Sequence, residues 1–161
     1  MVTEQTYSAL IDSPVGVLGV SITGNCLSGI EFLGELDADC GQTGRHSDSI
    51  KRVRAALKEY FAEGNTIIDI NIGLQGTEFQ QRVWGALKSI PTGQTRTYGD
   101  IARQLGSSPR AVGNACRRNP VPIFVPCHRV VSANGAGGFM GSTSGRPMKI
   151  KNWLLEHERT R

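Results

Sequence analysis

The chain has 161 residues, 39% hydrophobic and 20% charged, with a net charge of +4; this fits one or two compact domains and excludes a disordered or fibrous protein. No stretch reaches the apolar length of a membrane span, and Met1 to Gln5 lacks the basic-then-apolar order of a signal peptide, so the expected setting is the cytoplasm. The charge is unevenly spread: residues 1–76 hold 5 Lys and Arg against 10 Asp and Glu, whereas residues 77–161 hold 13 against 4, a net of +9. A half that basic attracts polyanions, and nucleic acid is the first partner it suggests.

In chain order, Tyr7 to Ile11, Val15 to Ile22 and Leu27 to Leu33 read as three short strands of a meander, with turns at Asp12-Ser13-Pro14 and Gly24-Asn25. Gly34 to Ser49 is polar and glycine-bearing and reads as a loop. Ile50, Val53, Leu57, Tyr60 and Phe61 recur at helical spacing until Gly64-Asn65, which predicts one amphipathic helix. Ile67 to Ile72 reads as a further strand or an extended linker. The change in charge sign near Gly73 to Gly76 puts a domain boundary there, giving an α/β domain over 1–75 and a helical one over 76–161. Cys26, Cys40, Cys116 and Cys127 form no Cys-x-x-Cys pair and are expected as free thiols; Cys26, Cys40 and His46 match no zinc spacing, so no metal is expected.

Thr77 caps a helix carrying Phe79, Val83, Trp84 and Leu87, ended by Pro91-Thr92-Gly93. Tyr98 to Leu105 makes a short helix stopped by Gly106, and Ser108-Pro109 supplies an N-cap and a first-turn proline for a second over Pro109 to Arg118. Helix, brief turn, helix predicts a helix-turn-helix. On its second helix Val112 and Cys116 are expected to point inward, while Arg110, Asn114 and Arg117 share an outer face with Ala111 and Ala115 beside it, and Gly113 permits close approach. Arg110 sits in the first turn, where the helix dipole disfavours a cation; either it is a solvated side chain, or an outside anion or an inserted role explains it.

Pro126-Cys127-His128-Arg129-Val130-Val131 then sets a thiol beside an imidazole. Val121 to Val125 is too apolar for exposure and is expected to thread through the core, with Pro126 ending any ladder. Cys127 reads as a buried small hydrophobe or as a nucleophile, and the neighbouring His favours the nucleophile, since a base that takes the thiol proton yields the reactive thiolate. Adjacent strand residues face opposite ways, so the two can cooperate only in a turn or through a water. A last helix starts near Pro147 with Ile150, Trp153, Leu154 and His157 on a stripe. Glu158 lies at the edge of that stripe near a helix C-terminus, where a carboxylate is unfavourable; it is either frayed and solvated or partnered by a His, for which His128 is the candidate.

These segments taken together resemble the O6-alkylguanine-DNA alkyltransferase family. The similarity runs through Gly76 to Trp84, Thr97-Tyr98-Gly99-Asp100-Ile101-Ala102, Arg110-Ala111-Val112-Gly113, Asn119 to Val131 and Trp153 to Glu158, with weaker likeness at Ser13 to Leu18 and Tyr60 to Gly64. The resemblance implies a ribonuclease H-like N-terminal domain and a winged helix-turn-helix-like C-terminal domain. It implies irreversible transfer of an alkyl group, chiefly methyl, from O6-alkylguanine in double-stranded DNA to Cys127, without cofactor, by a monomer. His128 would take the thiol proton through a water, Glu158 would orient His128, and Asn119 would tie the turn. Tyr98 would assist base flipping and bond the guanine edge, with Arg110 filling the vacated space. Ala111, Gly113, Asn114, Ala115 and Arg117 complete the implied DNA face, docked in the minor groove and reading little sequence. The lesion pocket would use Pro122, Val130, Phe139 and Met140. Gly138-Phe139-Met140-Gly141 departs from the family's usual Gly-Tyr pattern, Phe139 lacking a hydroxyl, and the loop over Ser142 to Pro147 is longer. Two rivals are a lesion-binding alkyltransferase-like protein without transfer, against which Cys127 argues, and a Cys-His hydrolase, which leaves the basic half unexplained.

Overall fold

The computed structural model describes residues 6–34, 41–42, 47–64 and 70–159. The architecture is mixed α/β, and the chain divides into two compact units, Met1–Leu74 and Gln75–Arg161.

In the first unit Thr6–Tyr7 (β1), Ala9–Ser13 (β2), Gly16–Thr23 (β3) and Cys26–Gly34 (β4) precede Gly41–Gln42 (β5) and the helix Asp48–Glu63 (α1). β2, β3 and β4 form an antiparallel meander, as the alternating apolar pattern predicts, with Ile11 opposite Leu18 and Val20 opposite Ile30. β1 and β5 pair in parallel, Thr6 with Gly41. The polar segment read as a loop from Gly34 to Ser49 therefore contains a strand, because a two-residue ladder depends on its distant partner and leaves no periodicity of its own. Residues 35–40 and 43–46 of that segment, Cys40 and His46 among them, lie outside the described residues, as do 65–69 of the run read as Ile67 to Ile72. Ile72 makes a single parallel bridge to Leu27, and Leu27 N donates to Asn71 O at 2.8 Å. Ser47 caps α1 and Gly64 closes it at φ 78°, where a residue without Cβ is favoured. Val53, Leu57 and Tyr60 of α1 and Leu18, Val20 and Leu27 of the sheet build this core.

The second unit comprises Glu78–Lys88 (α2), Arg96–Thr97 (β6), Tyr98–Leu105 (α3), Pro109–Arg117 (α4), a 3-10 turn at Cys127–Arg129, Val130–Val131 (β7) and Gly145–Arg159 (α5). Reciprocal capping boxes start α2 (Thr77 with Gln80) and α3 (Thr97 with Asp100), and Ser108 with Pro109 starts α4. Trp84 is buried and its indole Nε1 donates to Ala115 O at 2.9 Å, tying α2 to α4. β6 and β7 pair in parallel, Thr97 with Val131; this ladder sets Tyr98, the first residue of α3, beside the chain leaving the thiol turn. α5 starts two residues before the expected Pro147, which falls inside its first turn, where its missing N–H costs nothing.

Three expectations change. Val121 to Val125 is buried throughout but does not run as an extended thread: Val125 N donates to Val121 O at 3.0 Å, and Ile123 has φ 75°. A β-branched residue there costs on the order of 1–3 kcal/mol and persists only where its surroundings dictate it. Asn119 supplies that constraint. On α4, Ala115 is buried at 3% exposure, whereas Cys116, expected inside, is half-buried at a cavity wall. On α5 the buried stripe is Ile150, Lys151, Leu154 and Glu158; Trp153 and His157 flank it half-buried, their rings stacked at 4.7 Å. No described helix is long and apolar enough to cross a membrane.

Candidate active site

Asn119 leaves α4 and fastens the turn before the thiol: Nδ2 donates to Val125 O at 2.8 Å, and Oδ1 accepts from Val121 N at 3.0 Å. The chain then coils into the 3-10 turn, where Cys127 and His128, with Arg129, are buried. A turn is one of the two geometries in which neighbouring Cys and His side chains can cooperate.

Behind the thiol, His128 Nε2 lies 2.8 Å from Glu158 Oε2 and 3.0 Å from Oε1. This removes the alternative of a frayed, solvated Glu158. Arg129 Nε also donates to Glu158 Oε1 at 2.6 Å, while its Nη1 donates to Ile90 O at 2.7 Å and its Nη2 to Thr92 Oγ1 at 3.2 Å. Burial works to raise the Glu158 pKa, but the hydrogen bond from His128 and then the Arg129 guanidinium outweigh it and hold the carboxyl below its ordinary value. A carboxylate only accepts, so Nε2 of His128 carries the proton and Nδ1 presents a lone pair. Nδ1 is buried and makes no hydrogen bond. Burial depresses the His128 pKa against the pull of Glu158, so the ring is neutral at pH 7 and is a base.

Burial pushes the Cys127 thiol up, more than the Asn119 amide and the Lys151 ammonium pull it down. At rest the sulfur therefore keeps its proton, and the thiolate has to form during reaction.

Cys127 opens on a cavity of about 200 Å³, lined also by Tyr98, Gly113, Cys116, Arg117 and residues 138–143; this is below the roughly 300–1,000 Å³ of drug-sized sites. Phe139 and Met140 lie on its wall, whereas Pro122 and Val130, also expected there, are buried and do not line it. Met140, 45% exposed with φ 53°, stands at the lip. A Cβ on Gly137 would fall 2.9 Å from the Tyr98 ring and one on Gly141 2.8 Å from Arg117 Nε, so the loop lies against both side chains. The Tyr98 hydroxyl donates to Gly138 O at 3.4 Å, and burial first of all raises its pKa to about 12, keeping it a neutral donor. Burial also pushes Cys116 up to about 12, without any amide to offset it. Two thiols thus line one cavity, and only Cys127 has Asn119 behind it and His128 beside it.

Arg110, Asn114 and Arg117 are exposed on α4, with Ala111 and Gly113 half-buried between them. A wider groove of about 840 Å³, lined by Thr77, Phe79, Gln80, Ala111, Asn114, Ala115, Arg117 and Arg118, runs along this face and contains no acidic side chain. Among the described residues no cluster of three or more His, Cys, Asp or Glu could hold a metal.

Arg129, Lys151 and Cys116 are not among the site residues the sequence points to, Cys116 being expected only as an inward-facing free thiol. Lys151 was detectable: Lys151, Leu154 and Glu158 stand at i, i+3 and i+7 of one helix face. Arg129 and Cys116 carried no local signal beyond being polar groups in apolar surroundings.

A basic helical unit with a buried cysteine lining its cavity is the class this geometry defines, and residues 78–160 match the family described as 6-O-methylguanine DNA methyltransferase, DNA binding domain. The Methylated-DNA--protein-cysteine methyltransferase of Methanosarcina acetivorans is 38% identical over 156 residues, covering 94% of this chain and 97% of that protein. The protein of the same name from Mycobacterium bovis is 41% identical over 159 residues, covering 94% and 91%. The crystal structure of Mycobacterium tuberculosis OGT in complex with DNA superposes with a TM-score of 0.77 at 38% identity, covering 94% of this chain and 91% of that one. The chain belongs to the methylated-DNA--protein-cysteine methyltransferase family.

Proposed function

We propose that this protein repairs DNA by moving the alkyl group, chiefly methyl, of O6-alkylguanine onto Cys127, once per molecule. The observation that carries this is the thiol of Cys127 opening on a small cavity with a neutral, Glu158-oriented imidazole beside it. The thiol proton passes to His128 Nδ1 through a water. The sulfur forms its bond to the alkyl carbon as the bond from that carbon to O6 breaks, and the electron pair moves into the purine, which takes up a proton as it leaves. Thiol and alkylguanine become thioether and guanine, and water does not reverse a thioether, so each molecule acts once. With the thiol's pKa raised and the imidazole's lowered, the proton does not cross at rest; the transfer is drawn by charge developing on the leaving base, which the Tyr98 hydroxyl neutralises.

A base inside a duplex cannot reach this cavity, so the nucleotide is flipped out, at a cost of a few kcal/mol. Arg110, exposed at the start of α4, fills the gap, and Ala111, Gly113, Asn114, Ala115 and Arg117 form the minor-groove face, the last through its guanidinium. The α3–α4 pair acts as the helix-turn-helix with the β6–β7 ladder as its minimal wing, and the β2–β4 meander with α1 is read as a ribonuclease H-like domain of structural role. The protein acts as a cytoplasmic monomer without metal or cofactor.

The test is to mix the protein with a duplex carrying O6-methylguanine and record its intact mass. One added CH2 per molecule, mapped to Cys127 and absent in Cys127→Ser, supports the reading. Binding without a mass change overturns it in favour of lesion recognition alone, and repeated turnover on an ester overturns it in favour of a hydrolase.

A further inference from the structure

Lys151 is fully buried on α5, and its Nζ donates to Val130 O at 2.7 Å and to Gly138 O at 2.8 Å while standing 6.0 Å from the centroid of the Tyr98 ring. It joins the strand that follows the thiol turn to the loop that lies along the cavity. Two neutral carbonyls need donors but no charge, and no described carboxylate pairs with this ammonium. An unmatched buried cation destabilises the fold. The ionisable groups facing it are the thiols of Cys127 and Cys116, the His128 ring and the Tyr98 phenol. Of these, Cys127 is the one whose negative form the reaction requires.

We propose that Lys151 is a positioning residue of the transfer reaction, the resident countercharge of the Cys127 thiolate and the tie that holds loop 137–141 against the turn. The inference rests on Cys127 being the alkyl acceptor. The pair is complementary only while the sulfur is ionised: the ammonium is unmatched at rest and matched as the thiol gives up its proton, so the charge favours the reacting state over the resting one. Burial lowers the Lys151 pKa to about 8, so the countercharge is present below that pH and lost above it.

Lys151→Gln keeps a donor for the carbonyls and removes the charge; Lys151→Met removes both. The rate of iodoacetamide alkylation mapped to Cys127 is followed from pH 5 to pH 10 without DNA, alongside single-turnover methyl transfer from O6-methylguanine DNA. In Lys151→Gln both rates at pH 7 are expected to fall roughly tenfold, the alkylation deficit closing above about pH 8 as the wild-type ammonium itself loses its proton, with affinity for undamaged DNA held within about twofold. A purely structural tie would give a deficit that does not change with pH, so an absent or pH-independent alkylation deficit in folded Lys151→Gln overturns the proposal even if Lys151→Met fails to fold. A wild type whose Cys127 alkylates but never takes a methyl from the lesion would defeat the transfer reading alone, while a deficit confined to low pH would still support the countercharge.

Discussion

The outer face of α4 carries Arg110, Asn114 and Arg117 in solvent, whereas the inner face of α5 carries Lys151 and Glu158 out of it, separated by Leu154. Both helices place charge within reach of the same cavity, yet under opposite conditions. Solvated arginines contribute little to folding and stay free to meet phosphates, at the cost of sensitivity to salt. Buried charges act at low dielectric, where each must find a partner or depress stability, and where each can bias a proton transfer. Glu158 has His128 and Arg129 as partners, whereas Lys151 has two carbonyls. In the proposed reaction, binding falls to the face where charge is solvated, and chemistry to the face where it is strong.

The largest expected effect tests the buried side. Glu158→Gln removes the carboxylate that fixes the His128 tautomer and leaves Arg129 without its anion. Single-turnover transfer should fall by about 10³–10⁴-fold, the scale seen when an orienting carboxylate is neutralised behind a catalytic imidazole. The urea midpoint should fall by an amount worth about 3 kcal/mol. A rate within tenfold of wild type would mean that packing alone orients the ring and would erase the contrast between the two helices.

On the exposed side, Arg110→Ala should lower transfer from lesion DNA roughly tenfold, because flipping loses its gap-filler, and should weaken undamaged duplex by no more than about twofold. Measured by competition at fixed salt, equal losses on both duplexes would reduce Arg110 to one more solvated cation. No change in unfolding midpoint is expected, in contrast to Glu158→Gln.

The mildest probe deletes nothing and titrates the buried relay. Burial holds the His128 pKa below its ordinary 6.5, so the unfolded chain takes up that proton first; the stability is present above about pH 6.5 and declines as pH falls. The Glu158 carboxyl, held below its ordinary 4.5, contributes stability that is present above that value and lost as pH falls through the folded pKa. Denaturant midpoints from pH 7.5 to 4 should therefore fall monotonically in wild type and lose the limb near pH 6 in His128→Gln. An identical slope in the variant would assign acid sensitivity elsewhere.

Residues whose chemistry is local were legible from the sequence. Thr77 and Ser108 cap helices because a hydroxyl two or three residues ahead of a free N–H satisfies it whatever the tertiary context. Cys127 and His128 stood out because adjacency is itself information, and Glu158 because a carboxylate at a helix C-terminus asks for a cation or a donor. The buried stripe on α5 is rotated by one step from the apolar pattern: hydrophobicity favours Trp153 and His157, and burial goes to Lys151 and Glu158. A similar rotation exchanges Ala115 and Cys116 on α4, where a nine-residue helix offers too few apolar positions to fix its inner face.

By itself, the sequence determined where helices start and stop, the sign of each half and which adjacent thiol and imidazole are the candidate nucleophile and base, since capping, Coulomb attraction at long range and side-chain reactivity need no distant partner. Only the tertiary structure decided that Ile123 adopts positive φ under the grip of Asn119, that β6 and β7 set Tyr98 beside the thiol turn, and that Arg129 and Lys151 surround the site with charge. Short ladders, strained turns and buried ions cost free energy locally, so they form only where groups far along the chain return it.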